Sequence, residues 1–240
     1  MEIGHLLPEI VPMTTSDWEK LPWKGALQHI GPVADATPLQ VALLKKTNCA
    51  LYMIYIGCVG LCIKRTGTII EQKLSRRTVE MAYAYQFDWR YPKLFGITIE
   101  DVENKADKVT AVRRSIAYFF FQIVKQASTF FTPDRPVSEV SFMINLTRHL
   151  CGPTNAKTID GWVQGMIERM NAIAAFPGHN NPSIYDYPDR QSWEAATLQT
   201  HGTPLPPEVL DLSADLSQTN LRALAGAWLN KLDPAVNPLL

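Results

Sequence analysis

Long apolar stretches, nearly free of proline, fill the first half of the chain. Residues 39–131 contain one proline, Pro92, whereas the other 16 of the chain's 17 prolines lie outside this stretch. Proline lacks a backbone donor and clashes with the preceding helical turn, so a long stretch almost without proline is typical of uninterrupted helices. The pattern predicts an all-α protein: an irregular bundle of about five to seven helices with a proline-rich N-terminal arm and C-terminal loops.

The most apolar run predicts the central helix of this bundle. Residues 49–63 read CALYMIYIGCVGLCI and contain no charge. A helix that is apolar on all sides is typical of a buried centre. Pro38 suits a first helical position and Gly67 a C-terminal stop, so we expect one helix from about Pro38 to Arg65. The run is shorter than the roughly 20 residues of a membrane span. A buried core helix is therefore favoured, and a membrane-associated protein that uses residues 49–63 is an alternative.

Apolar spacing and capping signals predict the remaining helices. Ser16 and Glu19 have the Ser-x-x-Glu spacing of a capping box, which indicates a short helix that Pro22 stops. Apolar residues recurring every three or four positions indicate amphipathic helices. We expect such helices over about residues 68–89, 98–131, 136–151, 158–176 and 192–200. A last helix reaches Leu232 and is capped by Asp215 or Ser217.

These elements fit one helical domain that spans residues 1–240. Residues 1–37 form the arm, 38–176 the helical core, 177–216 a proline-rich loop region, and 217–240 a C-terminal helix and tail. The apolar face expected for the last helix favours packing against the bundle over a second domain beginning near residue 177.

Charge and cysteine content narrow the class of protein. The chain has 23 Lys and Arg against 23 Asp and Glu, a formal net charge of zero. Nucleic-acid binders usually carry a basic excess, so we expect no nucleic-acid partner. Three of the four cysteines lie in apolar sequence, as buried free thiols do, and free thiols indicate a reducing compartment. The first residues show no secretory signal, so we expect a cytoplasmic location.

Motifs that specify a reaction or a cofactor are not found. The chain contains no glycine-rich phosphate loop, no nucleophile elbow and no His-Glu-x-x-His zinc motif. Cys58 and Cys62 lie four residues apart and would share a helix face, and with His149 and Cys151 they offer a possible metal site. The apolar neighbours favour packed thiols instead. We expect no metal and no cofactor.

Two groups of residues are candidates for binding. The turn-rich segment from Pro177 to Pro207 combines aromatic and charged side chains, and loops carry function more often than core elements do. Its candidate partner-binding residues are Tyr185, Asp186, Tyr187, Asp189, Arg190 and Trp193. A second candidate is a basic patch formed by the paired arginines Arg76, Arg77, Arg113 and Arg114 on neighbouring helices. The favoured interpretation of these arginines is that they form solvated ion pairs on the helix surfaces.

The sequence therefore predicts a non-catalytic cytoplasmic module that binds a protein partner. Immunity proteins, antitoxins and adaptor subunits share this general character. The alternative is an enzyme or small-ligand binder whose pocket lies between helices under the 177–207 loop. Its candidate residues are Asp186, Asp189, His179 and the paired arginines.

Overall fold

The structure, a computed structural model, describes residues 3–22, 37–66, 72–87, 136–176 and 183–232, with backbone alone for residues 72–78 and 184. Seven α-helices and no strand occur in these ranges. They are α1 (Thr15–Lys20), α2 (Pro38–Leu44), α3 (Asn48–Thr66), α4 (Gln72–Tyr85), α5 (Val137–Ile173), α6 (Arg190–His201) and α7 (Leu221–Leu229). Short 3₁₀ turns form at Gly4–Leu6, Ile184–Asp186 and Pro207–Leu210. The all-α prediction is confirmed; the helix expected over 98–131 lies outside the described residues.

Helix α3 is the predicted central apolar helix. It packs mainly along α5, and α4 also lies against it, while α2 packs against α5. In the described ranges, α3 is the one helix long and apolar enough to cross a membrane, yet 89% of that window is buried inside the protein. Burial on every side explains why its sequence shows no polar face. The structure therefore supports the core-helix interpretation of residues 49–63.

The single helix predicted from Pro38 to Arg65 is two helices, and this correction has a tertiary cause. Thr37 caps α2 and Pro38 occupies its first turn, as expected. Between α2 and α3, however, Lys46 pairs with Ala175 in an antiparallel bridge. The Thr47 amide donates to the Ala174 carbonyl at 3.1 Å. The Phe176 amide likewise donates to the Lys45 carbonyl at 2.8 Å. Hydrogen bonds to a distant segment thus interrupt the helix here, and no local sequence signal shows them.

Two predicted caps are also corrected. Helix α1 is capped by Thr14, whose side chain accepts from the Asp17 amide at 3.2 Å while the Asp17 carboxylate accepts from the Thr14 amide at 2.8 Å. The capping box is therefore shifted by two residues from the expected Ser16 and Glu19. Helix α7 is capped by Asn220, which accepts from the Ala223 amide at 3.0 Å, rather than by Asp215 or Ser217.

Helix α5 joins the two helices predicted over 136–151 and 158–176. Its helical geometry breaks at Gly152, whose φ of 66° lies in the left-handed region that glycine tolerates. Pro153 follows directly, so the second half of α5 begins there rather than at Thr158. The predicted break is therefore correct in place, but it is a kink between adjoining helices instead of a loop.

The N-terminal arm is fastened to α3 and α5 by apolar and polar contacts. Ile3 and Leu7 are buried against the glycine surface of α3 at Gly60. The buried Arg65 guanidinium donates to the Val11 carbonyl at 2.8 Å, and the Asn155 side chain accepts from the Val11 amide at 2.8 Å. These bonds satisfy the backbone of a segment that belongs to no helix or sheet. Residues 3–22 of the arm are thus packed as part of the fold.

Candidate functional site

The predicted binding loop contains a short turn followed by the start of α6. Ser183 caps the turn Ile184–Asp186 through its bond from the Tyr185 amide at 3.4 Å. Asp189 caps α6, because its carboxylate accepts from the Ser192 amide at 2.7 Å. A carboxylate at a helix N-terminus also complements the helix dipole. One of the loop's candidate acids, Asp189, therefore has a structural role as a helix cap.

We call residues 183–201 the exposed segment. Some of its described side chains reach solvent, and others pack against the protein. Tyr185 is 94% exposed, and Leu198 on α6 is 68% exposed. Asp186, Asp189 and Arg190 are exposed as well, and Tyr187 is half-buried. Trp193, by contrast, is 8% exposed and faces the protein. Of the six candidate partner-binding residues, five therefore reach solvent and Trp193 helps to hold α6 in place.

The charges on the exposed segment are mainly negative. Arg190 Nε lies 2.7 Å from the Glu194 carboxylate one turn along α6, a solvent-exposed ion pair. The Ser192 amide that donates to Asp189 lowers the pKa of that carboxyl, so it is ionised at neutral pH. Asp186 forms no side-chain hydrogen bond or ion pair with the described residues. The described part of the exposed segment is therefore an acidic surface that carries aromatic side chains.

The other candidate residues receive less structural definition. Arg76 and Arg77 lie in α4, where the structure gives the backbone alone. Arg113 and Arg114 lie outside the described residues, as does His179. The basic patch stays a prediction.

All four cysteines are free and buried. The Cys62 thiol lies 3.4 Å from the Thr147 hydroxyl, across the contact between α3 and α5. Burial raises the pKa of the Cys58 thiol to about 12, with Thr147 acting in the opposite direction. Metals bind the thiolate, which burial disfavours here. Across the described ranges, no group of three or more His, Cys, Asp or Glu residues could hold a metal ion.

A cleft that the sequence did not predict lies between the arm and the segment after the Pro207–Leu210 turn. Its volume is about 270 Å³, and it is lined by residues 5–8, Thr158 and Trp162 of α5, and residues 210–213. The Trp162 indole donates to the Leu210 carbonyl at 3.2 Å and so fixes one wall. The described part of the 177–207 loop contributes no residue to this cleft. This cleft is therefore not the pocket predicted under the 177–207 loop, and that pocket stays a prediction.

Arg169 fixes the wall formed by residues 210–213. Its guanidinium donates to the main-chain carbonyls of Val209 (3.3 Å), Asp211 (2.6 Å), Leu212 (3.0 Å) and Ala214 (2.9 Å). The sequence carries one local signal of this arrangement: Asp211-x-Ser213 and Asp215-x-Ser217 both have the spacing of a turn in which the Asp side chain binds the backbone. Nothing local indicates that residues 5–8 lie beside them.

Comparison of the chain with models of protein families, with curated proteins and with solved structures gives no match.

Proposed function

We propose that this protein is a non-catalytic protein-binding module, of the adaptor or immunity type, and that the exposed segment is its contact surface. The observation that carries the proposal is the position of Tyr185, whose side chain is 94% exposed in an ordered turn. Tyrosine is enriched in protein interfaces because it presents a large, rigid, amphipathic surface.

The surface around Tyr185 extends along α6. Gln191, Glu194, Ala195 and Leu198 are exposed at helical spacing and form one outward face. Leu198 places a large apolar side chain on that face, and the acids at its start supply a polar border. An apolar anchor beside charged groups is the arrangement of a contact surface with a central core and a polar rim. The acidic border favours a partner that presents basic side chains.

A cytoplasmic location is part of the proposal. The four free, buried thiols suit a reducing compartment, where they stay reduced and pack as small apolar groups.

The test is detergent-free affinity purification of the tagged chain from its native host, read by native mass spectrometry. Tyr185→Ala combined with Leu198→Ser removes the two exposed anchors, and we expect the partner to be lost. Val41→Ser is the matched control, because Val41 is an exposed apolar residue on α2 and does not belong to the exposed segment. The proposal fails if the double variant recovers the same stoichiometric partner as the wild type, or if no protein accompanies the wild-type chain.

A further inference from the structure

We propose that the cleft between the N-terminal arm and residues 210–213 is a binding site for a small organic cation. The ligand class is an ammonium group on an apolar body about the size of one aromatic ring. This site is separate from the exposed segment, and the inference does not depend on the protein-binding function proposed above.

The size and walls of the cleft set the size and polarity of the ligand body. A volume of about 270 Å³ lies just below the usual range of small-molecule pockets, so it suits a small ligand. The indole of Trp162 and the side chains of Leu7 and Leu212 line it. Trp162 is 3% exposed and hydrogen-bonded to the main chain, so this wall is rigid. A preformed apolar wall favours a compact hydrocarbon group.

The charge of the ligand follows from Asp211. Among the described lining residues, Asp211 is the one acid; His5 is the other titratable side chain, and no Lys or Arg lines the cleft. Its Oδ1 atom accepts from the Ser213 amide at 2.9 Å and from the Ser213 hydroxyl at 2.6 Å. These bonds lower the pKa of the carboxyl, which is therefore ionised at neutral pH. An ionised carboxylate only accepts hydrogen bonds. Apart from Ser213 and the nearby Ala214 amide, the described residues offer this carboxylate no hydrogen-bond donor, so it can still accept from a bound ammonium group.

Arg169 lies close enough to lower the Asp211 pKa, but it does not convert the cleft into an anion site. Its Nη1 and Nη2 atoms already donate to four main-chain oxygens behind the lining segment. It therefore offers its charge but no well-placed donor to a bound anion. Selectivity for a cation then comes from the direct contact with Asp211, which a charge-assisted hydrogen bond provides.

The chain contains its own control for this contact. Asp215 accepts from the Ser217 amide at 3.0 Å, which repeats the Asp211 turn four residues later, and Asp215 does not line the cleft. Asn retains the side-chain oxygen that accepts these bonds but has no charge. Asp211→Asn and Asp215→Asn therefore make the same chemical change in the same type of turn, inside and outside the cleft.

The experiment titrates the full chain by isothermal calorimetry with benzylammonium, benzyl alcohol and benzoate. The three probes share a ring and differ in charge. We expect saturable binding of benzylammonium and none of benzoate. We also expect roughly tenfold weaker benzylammonium binding in Asp211→Asn, because a hydrogen bond to a charged group is lost.

Asp215→Asn should bind benzylammonium within about twofold of the wild type, since Asp215 does not line the cleft. Equal binding of benzylammonium by wild type and Asp211→Asn overturns the inference. So does tighter binding of benzoate or benzyl alcohol, or no saturable binding of benzylammonium. The probe series on the wild-type chain keeps the test valid even if Asp211→Asn fails to fold.

Discussion

Four buried tyrosines and one exposed tyrosine show how differently this protein uses the same side chain. Tyr52, Tyr55, Tyr83 and Tyr85 lie in α3 and α4 and are at most 1% exposed, whereas Tyr185 is 94% exposed. Tyr83 donates its hydroxyl to the Ala225 carbonyl at 2.9 Å and so attaches α7 to α4. The Tyr52 and Tyr85 rings lie 4.5 Å apart in the core. In the core, tyrosines join helices; at the exposed segment, Tyr185 extends into solvent.

This contrast separates residues that build the fold from residues that are available for binding. A buried aromatic ring removes about 150–250 Å² from water, and folding gains most from such residues. Tyr185 contributes almost none of that gain. Changes in the centre should therefore alter stability, and changes at Tyr185 should alter partner binding alone. The following predictions test that division, from the largest expected effect to the smallest.

The largest effect is expected at the closest packing of α3 against α5. A Cβ atom on Gly57 would lie 2.3 Å from the Trp162 ring, which is itself buried. Gly57→Ala should therefore destabilise the protein by about 3 kcal/mol through overpacking. Urea unfolding followed by circular dichroism measures this.

Gly161→Ala is the matched control, because a Cβ at Gly161 meets nothing within 4 Å. That variant should be neutral or up to about 1 kcal/mol more stable, since alanine favours helix over glycine. Equal destabilisation by both substitutions would contradict the close packing at Gly57.

The next effect is expected at Arg169, which binds four main-chain carbonyls around residues 209–214. Arg169→Gln should cost about 2 kcal/mol, because charge-assisted hydrogen bonds to a fixed backbone are lost. Hydrogen exchange of residues 209–214 should become faster at the same time. Arg190→Gln removes only an exposed ion pair and should change stability by less than about 0.5 kcal/mol. Unchanged exchange in Arg169→Gln would refute the anchoring role.

Lowering the pH should weaken the contact between α6 and the core, because His201 becomes protonated. Its Nε2 atom lies 2.9 Å from the Gln86 carbonyl, and its Nδ1 atom is buried without a hydrogen-bond partner among the residues that the structure describes. Burial lowers the pKa of His201 below its usual 6.5, against the opposing effect of the Gln86 carbonyl. The unfolded chain therefore binds this proton more readily. The stability that neutral His201 contributes is fully present above pH 6.5. It is lost as the pH falls from 6.5 through the lowered pKa of His201 in the folded state.

Urea midpoints measured between pH 8 and pH 5 test this prediction, and His201→Gln should give a flatter profile. His149 shares the direction of the pKa shift, also by burial, so some slope should persist in that variant. A profile for His201→Gln as steep as the wild type would show that His201 is not responsible.

How far the sequence determines these features depends on how local their causes are. The apolar run of α3 and the start of α2 at Pro38 were predicted correctly, because apolar character and helix-start signals are properties of neighbouring residues. The break between α2 and α3 was missed, because it depends on Thr47 bonding to Ala174, far along the chain. The shifted capping box at Thr14 shows a local ambiguity: two overlapping Ser/Thr-x-x-acid frames compete, and Thr14 with Asp17 prevails.

The candidate sites follow the same rule. The 177–207 segment could be named as a candidate because its turn residues and aromatic side chains are adjacent in sequence, and its binding role stays a prediction. The cleft was not, since residues 5–8 and 210–213 lie at opposite ends of the chain and meet only in the folded protein. Sequence also could not distinguish the inward Trp193 from the outward Tyr185, because both are aromatic residues near the same turn.

The smallest effect on stability is expected at the exposed segment itself. Tyr185→Ala and Leu198→Ser should each change the free energy of unfolding by less than about 0.5 kcal/mol, because neither side chain is buried. Urea unfolding measures both. A loss above 1 kcal/mol, on the scale of core substitutions, would mean that these residues support the fold.

Tyrosine iodination, mapped by mass spectrometry on the free chain and on the chain with its recovered partner, tests the central claim most directly. In the free chain we expect Tyr185 to be modified while Tyr52, Tyr55, Tyr83 and Tyr85 are protected, in line with their exposure. In the complex, Tyr185 should become protected too, because the partner covers it. Equal modification of Tyr185 in the free and bound chains would contradict its assignment as the contact residue.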